Sequence, residues 1–327
     1  MGWIGKLFSG DEASAPAAVV NGAPAPESAA APASAADIDA AYYRWLAATA
    51  APQASTDTEQ AILAELTRLA NAPIAGASLV PRVPAIIPQL MRTLRDEDMN
   101  AATLSRQLAQ DVVLVAEVYR EANLPCYRPR YHSGPPIDSI EGAIMLLGQN
   151  GMRMLLARVA FRPVMVMQSG PVAKRTARQI WSQSEKCALA ASLLAPAMRA
   201  NAFEVYLAGL MANVGLVVAF RLIDQMSPEE ALPQSDEFIA ALFAQARLLS
   251  ARIAALWEFP ATVASAIELA GQPDAPPPAQ TLALADRVSK LRMLVDGGQF
   301  APDDAFVLAG LDKAALACFD KIRDEDD

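Results

Sequence analysis

The chain has few side chains of the types that perform catalysis. Its single histidine, His132, lies in a loop rich in proline and arginine. Metal-assisted hydrolysis needs several imidazole or carboxylate ligands around one ion, and a serine or cysteine nucleophile needs a base beside it. One histidine cannot replace two or more metal ligands. Walker, GxGxxG, CxxC and GxSxG motifs are also absent from the sequence, so we predict neither metal-assisted hydrolysis nor nucleophilic catalysis.

The cysteines and the apolar runs indicate where the chain resides. Cys126, Cys187 and Cys318 are odd in number and widely spaced, which predicts reduced thiols in a cytoplasmic protein. Cys187 is expected to be a buried, inert core residue. The longest apolar runs, such as 208–220, fall short of the roughly 20 residues that a bilayer span requires, so no transmembrane helix is predicted.

Basic side chains offer a second kind of chemistry, the recognition of phosphate. Guanidinium groups form paired hydrogen bonds with phosphate, and a nucleotide would need several of them in one pocket. Helical spacing places only Arg158 and Arg162 on one face, and a solvated surface is the simpler interpretation. The net charge of -9 argues against a nucleic-acid partner. The candidate ligand- or partner-binding residues are Arg128, Arg130, Arg153, Arg158, Arg162, Lys174 and Arg175.

Composition and periodicity predict an all-α protein. The chain is 53% hydrophobic, dominated by alanine and leucine, and has only 16 glycines. Residues 1–36 are rich in alanine, proline and serine and are expected to form a disordered tether that begins with a short apolar piece. N-terminal helices are expected over 37–72, and a helical extension with an acidic tail over 279–327.

Capping residues and apolar spacing predict most helix positions. Thr56 and Glu59 have the spacing of a capping box, and so do Ser227 and Glu230 around a proline. Asn100 is expected to cap another helix. Two helices are expected on either side of a turn at 148–151. Further helices are predicted near 111–122, 172–200, 203–223, 236–257, 260–270, 279–296 and 303–322.

Six fragments in a fixed order resemble one known family. The first half contains LVPRVPAIIPQLMRTLRDED, QDVVLVAEVYREAN and IDSIEGAIMLLGQNGMRML, and the second contains IWSQSEKCALAA, AGLMANVGLVV and LWEFPATVASAIELAGQP. Over residues 79–273 the chain thus resembles the HD-related output domain family, an offshoot of the HD-domain metal-dependent phosphohydrolases. The resemblance implies a bundle of two helical subdomains, a first at about 79–168 and a degenerate HD-like one at 172–273.

The chain departs from the active enzymes of that wider family at the metal-binding positions. The resemblance implies a histidine early in the long helix, a His-Asp pair in the central helix and further histidines later, which together bind the catalytic metal. The matching residues here are Gln183, Ala212, Asn213, Ala270 and Gly271. None of them carries an imidazole, and a neutral amide such as that of Asn213 binds divalent metal weakly without carboxylates. The chain is therefore expected to be no enzyme and to hold no cofactor.

The resemblance implies a signalling role without catalysis. Members of the family are taken to be output or scaffold modules in bacterial signalling, beside kinases, response regulators or cyclic-dinucleotide enzymes. The first hypothesis is therefore a protein-interaction scaffold or regulatory output domain. The alternative is a nucleotide or cyclic-dinucleotide sensor that uses the basic cluster, and a residual phosphohydrolase is a third, weaker hypothesis.

Overall fold

The computed structural model describes residues 32–47, 54–73, 78–81, 112–123, 136–227 and 232–323. In these ranges the regular elements are helices, which confirms the predicted all-α class. Their bounds are α1 Ala35–Ala47, α2 Thr56–Asn71, α3 Val112–Ala122, α4 Ile140–Val166, α5 Pro171–Met198, α6 Ala202–Met211, α7 Val214–Met226, α8 Asp236–Leu256, α9 Ala261–Leu269, α10 Pro277–Asp296, α11 Ala305–Leu308 and α12 Lys313–Lys321.

Several sequence predictions lie outside the described residues. They are the tether up to residue 31, the helix capped by Asn100, the loop with His132 and Cys126, the helix beginning at residue 228, and the acidic tail from residue 324. Of the segment predicted as a tether, residues 35 and 36 are helical. Ser34 and Asp37 hydrogen-bond reciprocally across the first turn of α1, which therefore begins within the predicted tether.

Helix α5 is the centre around which the other helices pack. Most of its residues are buried, and its most extensive contacts are with α6 and α10. A single hydrophobic cluster includes residues of α1, α2 and α10 together with those of the central helices. Tyr42 and Tyr43 of α1 are fully buried in it. The helices outside 79–273 therefore share one core with those inside it.

A carboxylate from α7 fixes the start of α5. Both oxygens of Asp224 accept hydrogen bonds, from the backbone N–H of Val172 at 2.8 Å and that of Ala173 at 2.9 Å. A negative charge at this end stabilises a helix because the first N–H groups have no helical partner. Gly170 leaves room for the carboxylate, since a Cβ there would lie 2.3 Å from Asp224 Oδ2.

The sequence predicted one continuous central helix over 203–223. This prediction was wrong, because the segment is broken into α6 and α7. The break falls at Ala212 and Asn213. Ser250 of α8 stabilises it, because its hydroxyl donates to the carbonyl of Ala212 at 2.7 Å and accepts from the N–H of Gly215 at 2.8 Å. Apolar residues continue on both sides of the break, so the sequence pattern did not predict it.

Three other local predictions need correction. Helix α2 is capped by Ser55, not Thr56, and Glu59 accepts hydrogen bonds from the backbone of residues 234 and 235 at the start of α8. A turn was expected at 148–151, but only Gly148, with φ 70°, departs from helical geometry there, inside α4. The helix expected over 303–322 is split into α11 and α12, with Gly310 at φ 81° between them.

Two segments are long and apolar enough to cross a membrane by length and composition. They are Ala202–Met226, which spans α6 and α7, and Asp236–Leu256, which is α8. Of their most apolar windows, 89% and 50% are buried inside the fold. Burial of this kind is typical of core helices, which must be apolar to pack on several sides.

The close approach of α7 and α8 depends on Gly215. A Cβ at this position would lie 2.0 Å from the carbonyl oxygen of Ala246. We expect Gly215→Ala to lower the free energy of unfolding by about 3 kcal/mol, the upper end of the usual cost of overpacking, although alanine favours helix formation. Urea denaturation measures this change, and a variant at least as stable as the wild type would contradict the proposed backbone contact.

Cys187 and Cys318 are both buried, as was expected for Cys187. Burial raises the pKa of the Cys187 thiol well above its ordinary value. Burial also raises the pKa of Cys318, from 9.0 to about 12. Both groups therefore stay protonated in the folded protein at a pH at which the unfolded chain ionises them.

The raised pKa of Cys318 predicts a loss of stability in alkali. Its contribution is fully present below pH 9.0 and is lost as the pH rises towards about 12, because only the unfolded state releases the proton in that window. Each pH unit is worth about 1.4 kcal/mol for one such group. Urea denaturation across this window should show a shallower decline for Cys318→Ala than for the wild type. Parallel profiles would contradict the assignment.

Candidate functional site

A network of buried polar side chains lies where α5 meets the break between α6 and α7. Gln183 is fully buried, and Asn213 is 5% exposed. The amide nitrogen of Asn213 donates to Gln183 Oε1 and, at 3.0 Å, to the hydroxyl of Ser184. The nitrogen of Gln183 donates in turn to Asp286 Oδ1 and to Ser289 Oγ of α10, both at 2.9 Å. The network thus links three helical segments through neutral amides and one carboxylate.

Lys290 of α10 adds a buried ammonium group to this network. Its Nζ donates to Asp39 Oδ1 of α1 at 2.6 Å and to Asp286 Oδ2 at 2.7 Å. Lys290 is only 2% exposed, and Nζ lies 4.7 Å from the centre of the Phe243 ring. One positive charge therefore bridges two carboxylates from opposite ends of the chain.

The pKa values of Asp39 and Lys290 reflect their burial and the attraction between the ammonium and the carboxylates. Burial raises the pKa of Asp39, and the Lys290 ammonium offsets this only partly. Burial alone would lower the pKa of Lys290, but Asp286 and Asp39 outweigh it and the net shift is upward. The ammonium is therefore retained at neutral pH.

A cavity of about 150 Å³ adjoins Lys290. Five large apolar side chains contribute to its wall, from α1, α7, α8, α9 and α10, beside several alanines. The charged lining residues come from α1, α8 and α10. These residues are Ile38, Leu216, Phe243, Ile267 and Leu282 for the apolar wall, and Asp39, Arg247, Asp286, Arg287 and Lys290 for the charged part.

The five positions that the resemblance matched to metal ligands lie around this cavity. Ala212, Asn213, Ala270 and Gly271 line it, whereas Gln183 lies behind this wall and accepts a hydrogen bond from Asn213. The carbonyl of Ala270 accepts a hydrogen bond from Arg247 at 3.0 Å, so backbone as well as side-chain atoms hold this wall.

The basic cluster proposed for phosphate recognition does not share one environment. Arg153 is 5% exposed, with its guanidinium 5.6 Å from the centre of the Phe203 ring. Arg158 forms an ion pair with Glu185 at 3.2 Å. Three members are exposed near the end of α4 and the start of α5, and two lie outside the described residues. The exposed members are Arg162, Lys174 and Arg175, and the two outside are Arg128 and Arg130.

Sequence reasoning missed the charged residues of the site. Asp286 and Lys290 are four residues apart on α10, a spacing that places an acid and a lysine on one helix face. This pattern was available but is common on solvated helices. Asp39 gave no signal, because its partner lies 251 residues away.

The donor set at the site does not fit a catalytic divalent cation. The carboxylates near Gln183 and Asn213 are those of Asp39 and Asp286, and the Lys290 ammonium already binds an oxygen of each. The two amides are engaged with each other. In the part of the chain that the structure describes, no group of three or more His, Cys, Asp or Glu side chains is placed to hold a metal ion. A divalent ion would have to displace the ammonium and would repel it at close range.

Fold and site together describe an all-helical body with a small cavity lined by amides, small residues and charged side chains. The sequence model of the HDOD domain matches residues 80–273, more than half of the chain. The chain belongs to the HDOD domain family. No curated protein is similar enough in sequence to match it.

Three solved structures resemble the chain. An HDOD domain protein of unknown function from Geobacter sulfurreducens has a TM-score of 0.54 at 21% identity, over 82% of this chain and 94% of that one. A protein from Shewanella amazonensis SB2B, whose name proposes a metal-dependent phosphohydrolase, has a TM-score of 0.54 at 16% identity, over 82% and 98%. A protein from Marinobacter aquaeolei VT8, whose name proposes signal transduction, has a TM-score of 0.54 at 19% identity, over 81% and 63%. At these identities the likeness shows the fold.

Removal of the Lys290 ammonium is expected to destabilise the protein strongly. Lys290→Met keeps the apolar stem but leaves Asp39 and Asp286 buried without a counter-charge, which costs about 3–5 kcal/mol in comparable buried pairs. Urea denaturation measures the change. Lys313→Met, at an exposed position of α12, is the matched control and should stay within about 0.5 kcal/mol of the wild type. Equal stability of the two variants would contradict the bridging role.

Proposed function

We propose that the chain is a non-catalytic signal-transduction module of bacterial origin that acts as a protein-interaction scaffold or regulatory output domain. The observation that supports this most is the chemistry beside the cavity, where the positions that the resemblance matches to metal ligands include two neutral amides, and the Lys290 ion pairs lie next to them. Such a centre lacks the set of ligands that would hold a metal and so lower the pKa of water. What the fold still offers is a rigid helical body with surfaces for a partner.

The resemblance to known proteins supports signalling over hydrolysis. The family is that of an output domain, and one structural relative bears a name that proposes signal transduction. Another bears a name that proposes a phosphohydrolase. The donor set described above favours the first of these functions, because hydrolysis in this fold needs a metal to lower the pKa of water.

The exposed corner between α4 and α5 is the surface that fits a partner best. Arg162, Lys174 and Arg175 are exposed there, and the side chain of Met167 between them in sequence is 77% exposed. Exposed apolar side chains beside positive charges are typical of protein-binding surfaces. We propose that this corner binds an acidic face of a kinase, response regulator or cyclic-dinucleotide enzyme.

The proposal predicts a partner whose binding depends on this corner. The tagged full-length chain, expressed in its native cells and cross-linked, should recover one signalling protein reproducibly in near-equal amount. The double variant Arg162→Glu and Lys174→Glu should lose it, because like charges then face the acidic partner. Lys313→Glu changes the charge at a distant exposed site and should retain it.

Two results would contradict the proposed function. One is the absence of any reproducible partner with the wild-type chain. The other is hydrolysis of a phosphate ester by the purified chain that a chelator abolishes, since this would show that a metal is held and used.

A further inference from the structure

We infer that the cavity beside Lys290 is a binding site for a small organic monoanion, with a carboxylate head and a compact apolar body. Residues from α1 and α10, outside the region of the family match, complete its wall. The inference does not depend on the scaffold function, because it concerns only the charge and shape of this cavity.

The charge of the lining favours one negative charge. Arg247, Arg287 and Lys290 contribute three positive charges, and Asp39 and Asp286 contribute two negative ones. Both carboxylates are bound by the Lys290 ammonium. The difference is one positive charge, which a monoanion would neutralise and a dianion would exceed.

Neither arginine hydrogen-bonds to a carboxylate among the described residues, although the charge of Arg247 acts on Asp39 and favours its ionised form. Arg247 donates to the carbonyl of Ala270, and Arg287 donates to the carbonyls of Ala33 and Ala309 at 2.8 and 3.0 Å. Both guanidinium groups line the cavity, and a carboxylate is the group that fits a guanidinium edge.

The size and the remaining wall define the body of the ligand. A cavity of about 150 Å³ holds a molecule of about the size of benzene. Its apolar wall includes Leu216 of α7, Phe243 of α8 and Ile267 of α9. A flat or branched hydrocarbon of this size, joined to one carboxylate, therefore matches both the polar and the apolar part of the cavity. A nucleotide is too large for it.

Benzoate is the probe that tests this inference, and benzamide is its neutral match. Calorimetry on the full-length chain should show saturable binding of benzoate and at least tenfold weaker binding of benzamide, a difference of about 1.4 kcal/mol. Binding should also raise the midpoint of thermal unfolding as benzoate concentration increases, since the ligand binds the folded state alone.

Two variants test, by different means, whether benzoate binds in this cavity. Ala283 lines the cavity, so Ala283→Leu should fill it and abolish benzoate binding without changing charge. Arg247→Gln keeps a donor for the Ala270 carbonyl but removes the charge, and should weaken benzoate at least tenfold with little effect on benzamide. Arg178→Gln removes an exposed arginine of α5 outside the cavity lining and is the matched control, with unchanged affinity expected. Circular dichroism confirms that each variant is folded.

Three results would overturn the inference. They are no saturable binding of benzoate to the wild type, equal affinity for benzoate and benzamide, and benzoate binding that survives both Ala283→Leu and Arg247→Gln. If one variant does not fold, the other decides the location, because each alone predicts a loss that Arg178→Gln does not share.

Discussion

The structure depends on one buried positive charge, that of Lys290, held between Asp39 and Asp286. A charge removed from water is stable only when oppositely charged groups and hydrogen bonds compensate it, so none of the three side chains is stable there without the others. Because Asp286 also accepts from Gln183, which contacts Asn213, the same interaction reaches the break between α6 and α7. The first helix of the described chain and the long helix near its end are thereby fastened to the centre of the fold.

The sequence was sufficient to predict the helical class, the order of the helices and most of their bounds, because apolar spacing alone determines which face of a helix is buried. The positions of helix breaks were harder to predict from the sequence. The break lies within an apolar run that only Asn213 interrupts, and it is Ser250, 37 residues further along the chain, that satisfies the backbone there. The cap of α2 was misplaced by one residue because Ser55 and Thr56 are chemically equivalent candidates.

The residues of the candidate site likewise include some that the sequence located and some that it did not. Gln183, Asn213 and Ala270 were located through the resemblance, since motif order carries positions from one family member to another. Asp39 and Lys290 come from segments that the resemblance does not cover, and no local pattern relates them. Only the folded chain shows that the amides of Gln183 and Asn213 lie beside a buried cation, that of Lys290.

The family region shares its hydrophobic core with the flanking helices, and this has a consequence for any fragment of the chain. A fragment cut at residues 80 and 273 would keep Gln183 and Asn213 but lose Asp39, Asp286 and Lys290. It would also uncover the side of α5 that α10 now shields. In this chain we therefore expect the family region to be less stable alone than together with its flanking helices.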